Sequence, residues 1–422
     1  MDITQNYKNN LSIDIQNNLK IISTNANRLG FNVYLVGGVV RDLILNKKIM
    51  DVDILCDFDS TILAKKLEEQ DICKIKELKE EFRTAKIVVN GMCFDFATTR
   101  CEIYQKSGCL PQIVDYGVNL FEDSKRRDFT INTLVLSLNK DNFLQIIDPS
   151  EKGLEDLKNK TLRILHDKSF VDDPTRILRM LKFMFRFDFK PDTCTFNLMS
   201  DYLKKPNYDV CYYRIKSEFI QTFNLNKSEI LDFFLKNNIY KLFTKNIIQN
   251  INSTKVQKII AKYKKQIKQI YSIYLGVLIE NENYEKLPFN FTVYEKKTFS
   301  DIIKIFETNT NIKNKYQIYH LFKDKNIEAI IVYYLKTNDN NAIEYLDKLK
   351  DVKLSITGKD LLKLGIKEGK VFKTVFDEVL KEKLSNPNIK KEKELQIVTK
   401  ILAKKKFLRF YLFKGIKSGG KS

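Results

Sequence analysis

Residues 31–56 read FNVYLVGGVVRDLILNKKIMDVDILC, and the fold is decided in this stretch. Phe31–Val36 is a short apolar run and predicts a strand. It ends in Gly37-Gly38, after which Val39–Leu45 has helical spacing and Asp51–Cys56 alternates as a second strand. Two glycines between a strand and a helix let the backbone approach a ligand closely, and the helix start offers free N–H groups and a positive dipole end to a phosphate. Arg41 adds a fixed positive charge there. Asp51 and Asp53 are two residues apart on a strand and so face the same way. Such a carboxylate pair needs a cation, and Mg²⁺ carrying a nucleoside triphosphate would supply it. An isolated Asp-x-Asp is a weak signal and would favour an ordinary glycine turn with a capping pair; the ordered combination points to a metal and triphosphate site.

Outward from that core, residues 13–29 predict an amphipathic helix, and Lys86–Asn90 with Met92–Thr98 predict a hairpin turning at Asn90-Gly91. Asp95 lies in the second arm between Phe94 and Phe96, so alternation sends it either to solvent or into a site; a third carboxylate near an attacking hydroxyl would suit a two-metal centre. Residues 103–125 are punctuated by Gly and Pro and predict a loop. Thr133–Leu138 and Phe143–Ile147 predict a further strand pair. From about residue 155 the pattern is helical, including Thr175–Phe187 after Pro174 and the stretches 215–280, 298–350, 358–382 and 391–413; 415–422 is a small-residue tail expected to fray. The expected fold is a mixed α/β head followed by an all-helical remainder.

Two more clusters carry chemistry. In Arg126-Arg127-Asp128-Phe129-Thr130-Ile131-Asn132 the arginines suit a triphosphate and Asp128 could accept from a ribose hydroxyl, although a solvated turn before a strand has the same composition. In Asp172-Asp173-Pro174-Thr175-Arg176-Ile177-Leu178-Arg179, Asp173 and Arg176 share a helix face. An Asp acceptor and an Arg donor match the Watson–Crick edge of cytosine or adenine and mismatch uracil and guanine. The competing reading is an N-cap with a surface ion pair.

The chain has a formal charge of +20, unevenly spread. Residues 1–150 carry 19 Lys/Arg and 21 Asp/Glu, whereas the rest carry 54 and 32, so the excess that would attract a polyanion lies outside the first third. A hydrophobic content of 43% argues against global disorder. The seven cysteines form no Cys-x-x-Cys pair, which disfavours a metal cage or a disulfide framework and suits a reducing compartment. The polar Met1–Asn10 lacks a signal-peptide core and no apolar run reaches membrane-spanning length, so a cytoplasmic protein without membrane contact is expected. His166 and His320 have no evident catalytic partner.

The four motifs occur in the order that marks the class II tRNA nucleotidyltransferases, and the chain resembles that family of bacterial and eukaryotic CCA-adding enzymes, with bacterial poly(A) polymerases as relatives. The resemblance runs from about Phe31 to Glu218 and includes Asp148 with Gly153-Leu154-Glu155-Asp156-Leu157, and Arg214-Ile215-Lys216-Ser217-Glu218, a motif that braces the base-reading helix; Thr357-Gly358-Lys359-Asp360-Leu361 with Gly365 and Gly369 resembles a tail segment. It implies a polymerase-beta-like α/β nucleotidyltransferase head (1–155), then an all-α neck (156–225), body (226–350) and tail (351–414), arranged as a hook that grips the acceptor and T arms of tRNA. It also implies in-line attack of the RNA 3′-hydroxyl on the α-phosphate of CTP or ATP. Asp51 and Asp53 would hold Mg²⁺ and Asp95 would assist the hydroxyl. Gly37, Gly38, Arg41, Arg127, Asp128, Asn132, Asp173, Arg176 and Arg179 would bind the nucleotide. The family pattern is departed from at Asp172, where Glu is usual, at Lys152-Gly153 in place of paired glycines, and at Gly369-Lys370 in place of Gly-Pro. Asp172 together with Gly108-Cys109-Leu110-Pro111 is also similar to enzymes that add only CC or only A. Poly(A) addition, a small-molecule nucleotidyltransferase and a non-catalytic RNA-binding protein are the rival expectations.

Overall fold

The computed structural model describes residues 2–49, 51–308, 312, 314–366 and 369–415. Of the tail expected over 415–422, residues 416–422 lie outside the described residues. Two compact units are formed, Met1–Asn246 with Leu287–Asn290, and Ile247–Lys286 with Phe291–Ser422.

The first unit opens with helices α1 (Thr4–Asn10) and α2 (Ile13–Arg28), the latter capped by the Ser12 side chain accepting from the Ile15 N–H. Strand β1 (Val33–Val36) is buried along its whole length, as an apolar run without alternation requires. Helix α3 (Gly38–Ile44) follows directly, then β2 (Asp53–Cys56), α4 (Ser60–Glu69), β3 (Lys74–Lys79), β4 (Thr84–Val89), β5 (Met92–Thr98), β6 (Arg100–Ile103), β7 (Gln112–Tyr116), α5 (Leu120–Lys125), β8 (Val135–Ser137) and β9 (Ile146–Ile147). One seven-stranded mixed sheet has the order β3-β4-β5-β2-β1-β8-β9, in which β2 and β5 pair in parallel and the other neighbours are antiparallel. The Asn90-Gly91 hairpin is present, with both turn residues at positive φ.

The stretch 103–125 is not the plain loop its Gly and Pro suggest. It holds most of a second ribbon, β6 with β7, and the helix α5. The ribbon has little apolar character of its own and is fixed by contacts at its tip. Gly108 (φ +75°) donates its N–H to the Asp172 carbonyl and accepts from the Cys211 N–H, each at 3.2 Å, and a Cβ there would overlap Val210.

Beyond the sheet the first unit is helical apart from one short parallel pair, β10 (Thr161–Leu162) with β11 (Lys190–Pro191), which the sequence pattern did not show. Its helices are α6 (Gly153–Lys158), α7 (Ser169–Asp172), α8 (Thr175–Phe187), α9 (Thr193–Lys204), α10 (Tyr212–Phe223) and α11 (Ser228–Lys236). Helix α8 buries Ile177, Leu178, Leu181 and Phe183, and α10 buries Ile215, Phe219 and Phe223. Phe219, Phe223 and Phe234 are each at most 1% exposed and pack ring to ring; full burial of such a side chain contributes roughly 1.5–3 kcal/mol. Gly153 is fixed by sterics alone: a Cβ would come within 2.7 Å of the Thr130 carbonyl oxygen and 2.9 Å of both Asp148 Oδ1 and Leu134 Cδ2.

The second unit is built of helices among its described residues, from Ser253–Tyr263 to Lys391–Gly415. Ile273, Leu278, Ile302 and Ile331 are wholly buried in one part, and Ile356, Leu361, Val375, Val379 and Val398 form a separate core. The Thr357-Gly358-Lys359-Asp360 motif is a capping box in which the Thr357 N–H and hydroxyl both donate to Asp360 Oδ2. No helix of the described residues is long and apolar enough to cross a membrane.

Candidate active site

A cleft of about 960 Å³ opens in the first unit. Its floor is the β1–α3 turn and the ends of β2 and β5, and its sides are the β6–β7 ribbon, α8 and α10. Gly37 turns the chain at φ 66°, ψ −122°, a conformation open to glycine; a Cβ there would stand 3.7 Å from Arg127 Nη1.

Asp53 and Asp95 are partners in the parallel register of β2 and β5. Phe94 and Phe96 are buried on the opposite face, so alternation turns the Asp95 carboxylate into the cleft, where Lys86 Nζ approaches it at 3.1 Å. Loss of water around Asp53, and then the charges of Asp95 and Asp51, push the Asp53 carboxyl above its ordinary pKa. Asp51 was expected on the same strand; it precedes β2, is exposed, and is not among the residues lining the cleft. Among the described residues no group of three or more His, Cys, Asp or Glu side chains forms a metal cage.

Four of the expected ligand-binding side chains are joined to one another. Arg41 Nη1 donates to Asn132 Oδ1 (2.7 Å), Asn132 Nδ2 to Asp128 Oδ1 (2.9 Å), and Arg179 Nε to Asp128 Oδ2 (2.7 Å). The chain of bonds continues from Arg179 Nη1 to Glu218 Oε1 (3.0 Å) and from Lys182 Nζ to Glu218 Oε2 (2.7 Å). It ties α3, the turn at 128–132, α8 and α10 into one wall. Arg41 departs most from the sequence reading. It lines the cleft, but it is 4% exposed, donates Nε to Asp42, and lies 4.4 Å from the centre of the Phe187 ring, so its charge is largely committed inside the protein. Burial would push Asp128 up, yet the Arg179 charge and the donors Asn132, Arg179 and the Phe129 N–H hold it at about 2.

Asp123 has no counterpart among the expected site residues. Its buried carboxylate accepts from Arg126 Nε (2.9 Å), Arg127 Nη2 (2.7 Å) and the Arg100 N–H (3.1 Å), and so aims both arginines. Its signal in the sequence was the i,i+3 and i,i+4 spacing from Asp123 on α5 to Arg126 and Arg127 just beyond the end of that helix.

Asp173 and Arg176 both line the cleft but are 4.0 Å apart. Arg176 is 3% exposed and donates to Ser169 Oγ (2.6 Å) and the Arg126 carbonyl (2.8 Å). Asp173 caps α8 by accepting from the Thr175 N–H, and its other oxygen is held by Arg214 of α10. The N-cap half of the competing reading is therefore present, with Arg214, not Arg176, as the close ion partner. Arg100 and Glu102 of β6, and Tyr104 just after it, also line the cleft and were not singled out in the sequence, where no pattern marks the strand that carries them. His166 Nδ1 lies 4.0 Å from Asp172, outside the cleft-lining set.

Residues 33–163 match the model of the poly(A) polymerase head domain. An A-adding tRNA nucleotidyltransferase of Aquifex aeolicus is 30% identical over 83% of this chain, and a CCA-adding enzyme of Enterococcus faecalis is 27% identical over 80%. A solved structure of a CCA-adding enzyme in an apo form superposes with a TM-score of 0.80 at 25% identity, covering 96% of this chain and 99% of that one. These likenesses all fall on the class II tRNA nucleotidyltransferases, the family the chain is similar to. The chain spans 44% of the length of the Aquifex aeolicus relative and 83% of the Enterococcus faecalis one. The mixed-sheet head followed by helices agrees with the fold expected from the sequence.

Proposed function

We propose that this protein adds nucleotides without a template to the 3′ end of tRNA, completing CCA from CTP and ATP. The observation that carries the proposal is the placement of Asp53 beside Asp95 on the floor of a cleft whose side presents Asp173 and Arg176. One end of such a cleft suits a triphosphate and the other the edge of a base.

The donor set fits Mg²⁺: hard carboxylate oxygens, crowded enough to raise the Asp53 pKa, with room left for phosphate oxygens and water. Asp51 and Asp53 would hold the ion, with Asp95 beside them. Bound there, the metal would supply charge stabilisation at the α-phosphate and acidify the attacking 3′-hydroxyl. The chain's own groups do the rest. The Gly37-Gly38 backbone and Arg127, aimed by Asp123, position the triphosphate. Asp128, held by Asn132 and Arg179, faces the ribose, and Arg41 braces that wall. Asp173 accepts from the exocyclic amine of cytosine or adenine, and Arg176 donates to the ring nitrogen.

The segments would be a head over 1–155, a neck over 156–225, a body over 226–350 and a tail over 351–414. The basic excess beyond residue 150 would then bind tRNA phosphates, and affinity should fall steeply with salt. A second reading, addition of the terminal A alone, is favoured by relatives named as A-adding enzymes. The deciding experiment offers tRNA lacking CCA, tRNA ending in CC, and an unrelated RNA, with CTP and ATP separately. CCA addition requires C on the first and A on the second. Extension of only the CC-ended tRNA selects the second reading, and equal extension of the unrelated RNA by A selects poly(A) addition.

A further inference from the structure

Tyr213 is 76% exposed, the most open of the described aromatic side chains, and it stands in the first turn of α10 on the rim of the cleft. Its neighbour Tyr212 packs against Phe289 at 6.4 Å and donates to the Tyr208 carbonyl; Tyr213 has no ring, cation or hydrogen-bond partner among the described residues. The next residue, Arg214, holds Asp173, so the open ring lies beside the groups assigned to the edge of a base. A nucleobase has two polar edges and an apolar face. Asp173 and Arg176 can satisfy an edge, but neither covers the face, and Arg176 is itself buried.

We propose that Tyr213 is the stacking platform for the base of the incoming nucleoside triphosphate. Stacking is nearly indifferent to base identity because every base has a π-face, so Tyr213 sets affinity while Asp173 and Arg176 set choice. Adenine overlaps the ring more fully than cytosine does. The inference rests on the cleft being the nucleotide site.

The chain contains no tryptophan, so Tyr213→Trp introduces a single indole at an exposed position that tolerates it. CTP or ATP, added without RNA, should quench its emission, ATP the more strongly. Quenching by tRNA alone and by neither nucleotide would assign the ring to the RNA and overturn the proposal, as would a silent indole. In steady-state assays, Tyr213→Ala should raise KM for both nucleotides by roughly five- to a hundredfold, with kcat moved far less and selectivity against UTP kept; Tyr213→Phe should restore KM. Unchanged KM in Tyr213→Ala, in an enzyme that still extends tRNA, removes the stacking role and leaves the proposed function standing. A wild-type protein that extends no RNA removes that function by itself, and the indole titration still reads the stack.

Discussion

Arg179 reaches from α8 to Asp128, its Nε 2.7 Å from Oδ2, and the same guanidinium continues to Glu218 on α10. One side chain thus fastens the 128–132 turn beside the sheet to two helices that follow it. Arg179→Met keeps much of the volume and leaves a nearly buried carboxylate without its cation. Unfolding in urea should show a loss of about 2–4 kcal/mol, below the full cost of breaking a buried pair because Arg179 is about a third exposed.

The Asp128 carboxyl titrates at about 2 in the folded protein against an ordinary 3.8. The unfolded chain therefore binds the proton more readily, and the stabilisation, whole above pH 5, is lost as pH falls through 4 toward 2. It amounts to about 2 kcal/mol. Urea midpoints at pH 6 and pH 3 should converge more in Asp128→Asn than in the wild type; an unchanged slope would refute the assignment.

Gly153→Ala would drive a methyl into the Thr130 carbonyl, Asp148 Oδ1 and Leu134 together, and the nearest of them, the Thr130 oxygen, is backbone and cannot swing away cheaply. The expected cost is about 1–3 kcal/mol in the same unfolding assay. Gly91→Ala, by contrast, meets nothing within 4 Å and should suffer only the strain of its positive φ.

Removing the cleft carboxylate separates chemistry from folding. Asp53→Asn deletes a charge that Asp95 and Asp51 repel, so stability should hold or rise slightly. Nucleotide incorporation should fall by at least about a hundredfold, and chelation of divalent ions should abolish wild-type activity. Asp51→Ala is expected to behave alike, and substantial turnover in it would exclude Asp51 as a ligand.

Arg214→Ala frees one oxygen of Asp173 from its ion partner. If the pair positions the acceptor, the preference for CTP and ATP over UTP should shrink by about tenfold, matching the ~1–3 kcal/mol of a good base-edge contact. Equal losses for all three nucleotides would make Arg214 merely structural.

In the second unit Lys336 donates to the Ile279 carbonyl (2.6 Å), Asn281 Oδ1 (2.9 Å) and the Tyr284 hydroxyl (3.0 Å), and burial pulls its pKa down to about 7. The unfolded chain holds this proton more tightly, so the penalty is complete below pH 7 and fades as pH rises. Stability of the second unit should climb by about 2 kcal/mol between pH 7 and 9, and Lys336→Met should flatten that rise.

The sequence by itself determined the local pieces. The Gly37-Gly38 turn, the hairpin at Asn90-Gly91 and helix Thr175–Phe187 follow from backbone preference and from the spacing of apolar residues, which act over a few positions. The motif order also carried the resemblance to the nucleotidyltransferase family. Tertiary structure decided which charged groups face the cleft and which face each other. The opposition of Asp53 and Asp95 depends on a parallel strand pairing across some forty residues, and the tie of Arg214 to Asp173 on the meeting of two helices. The ribbon at 100–116 was hidden because its order comes from Gly108 meeting Asp172 and Cys211 rather than from its own periodicity. Arg41 could not be read either: whether an arginine meets a phosphate or a ring stack is settled by what lies above it, and here Phe187 and Asn132 arrive from elsewhere in the chain. Periodicity reports which face of an element is apolar; the partner of each polar group is fixed only when the elements pack and buried charges must be satisfied.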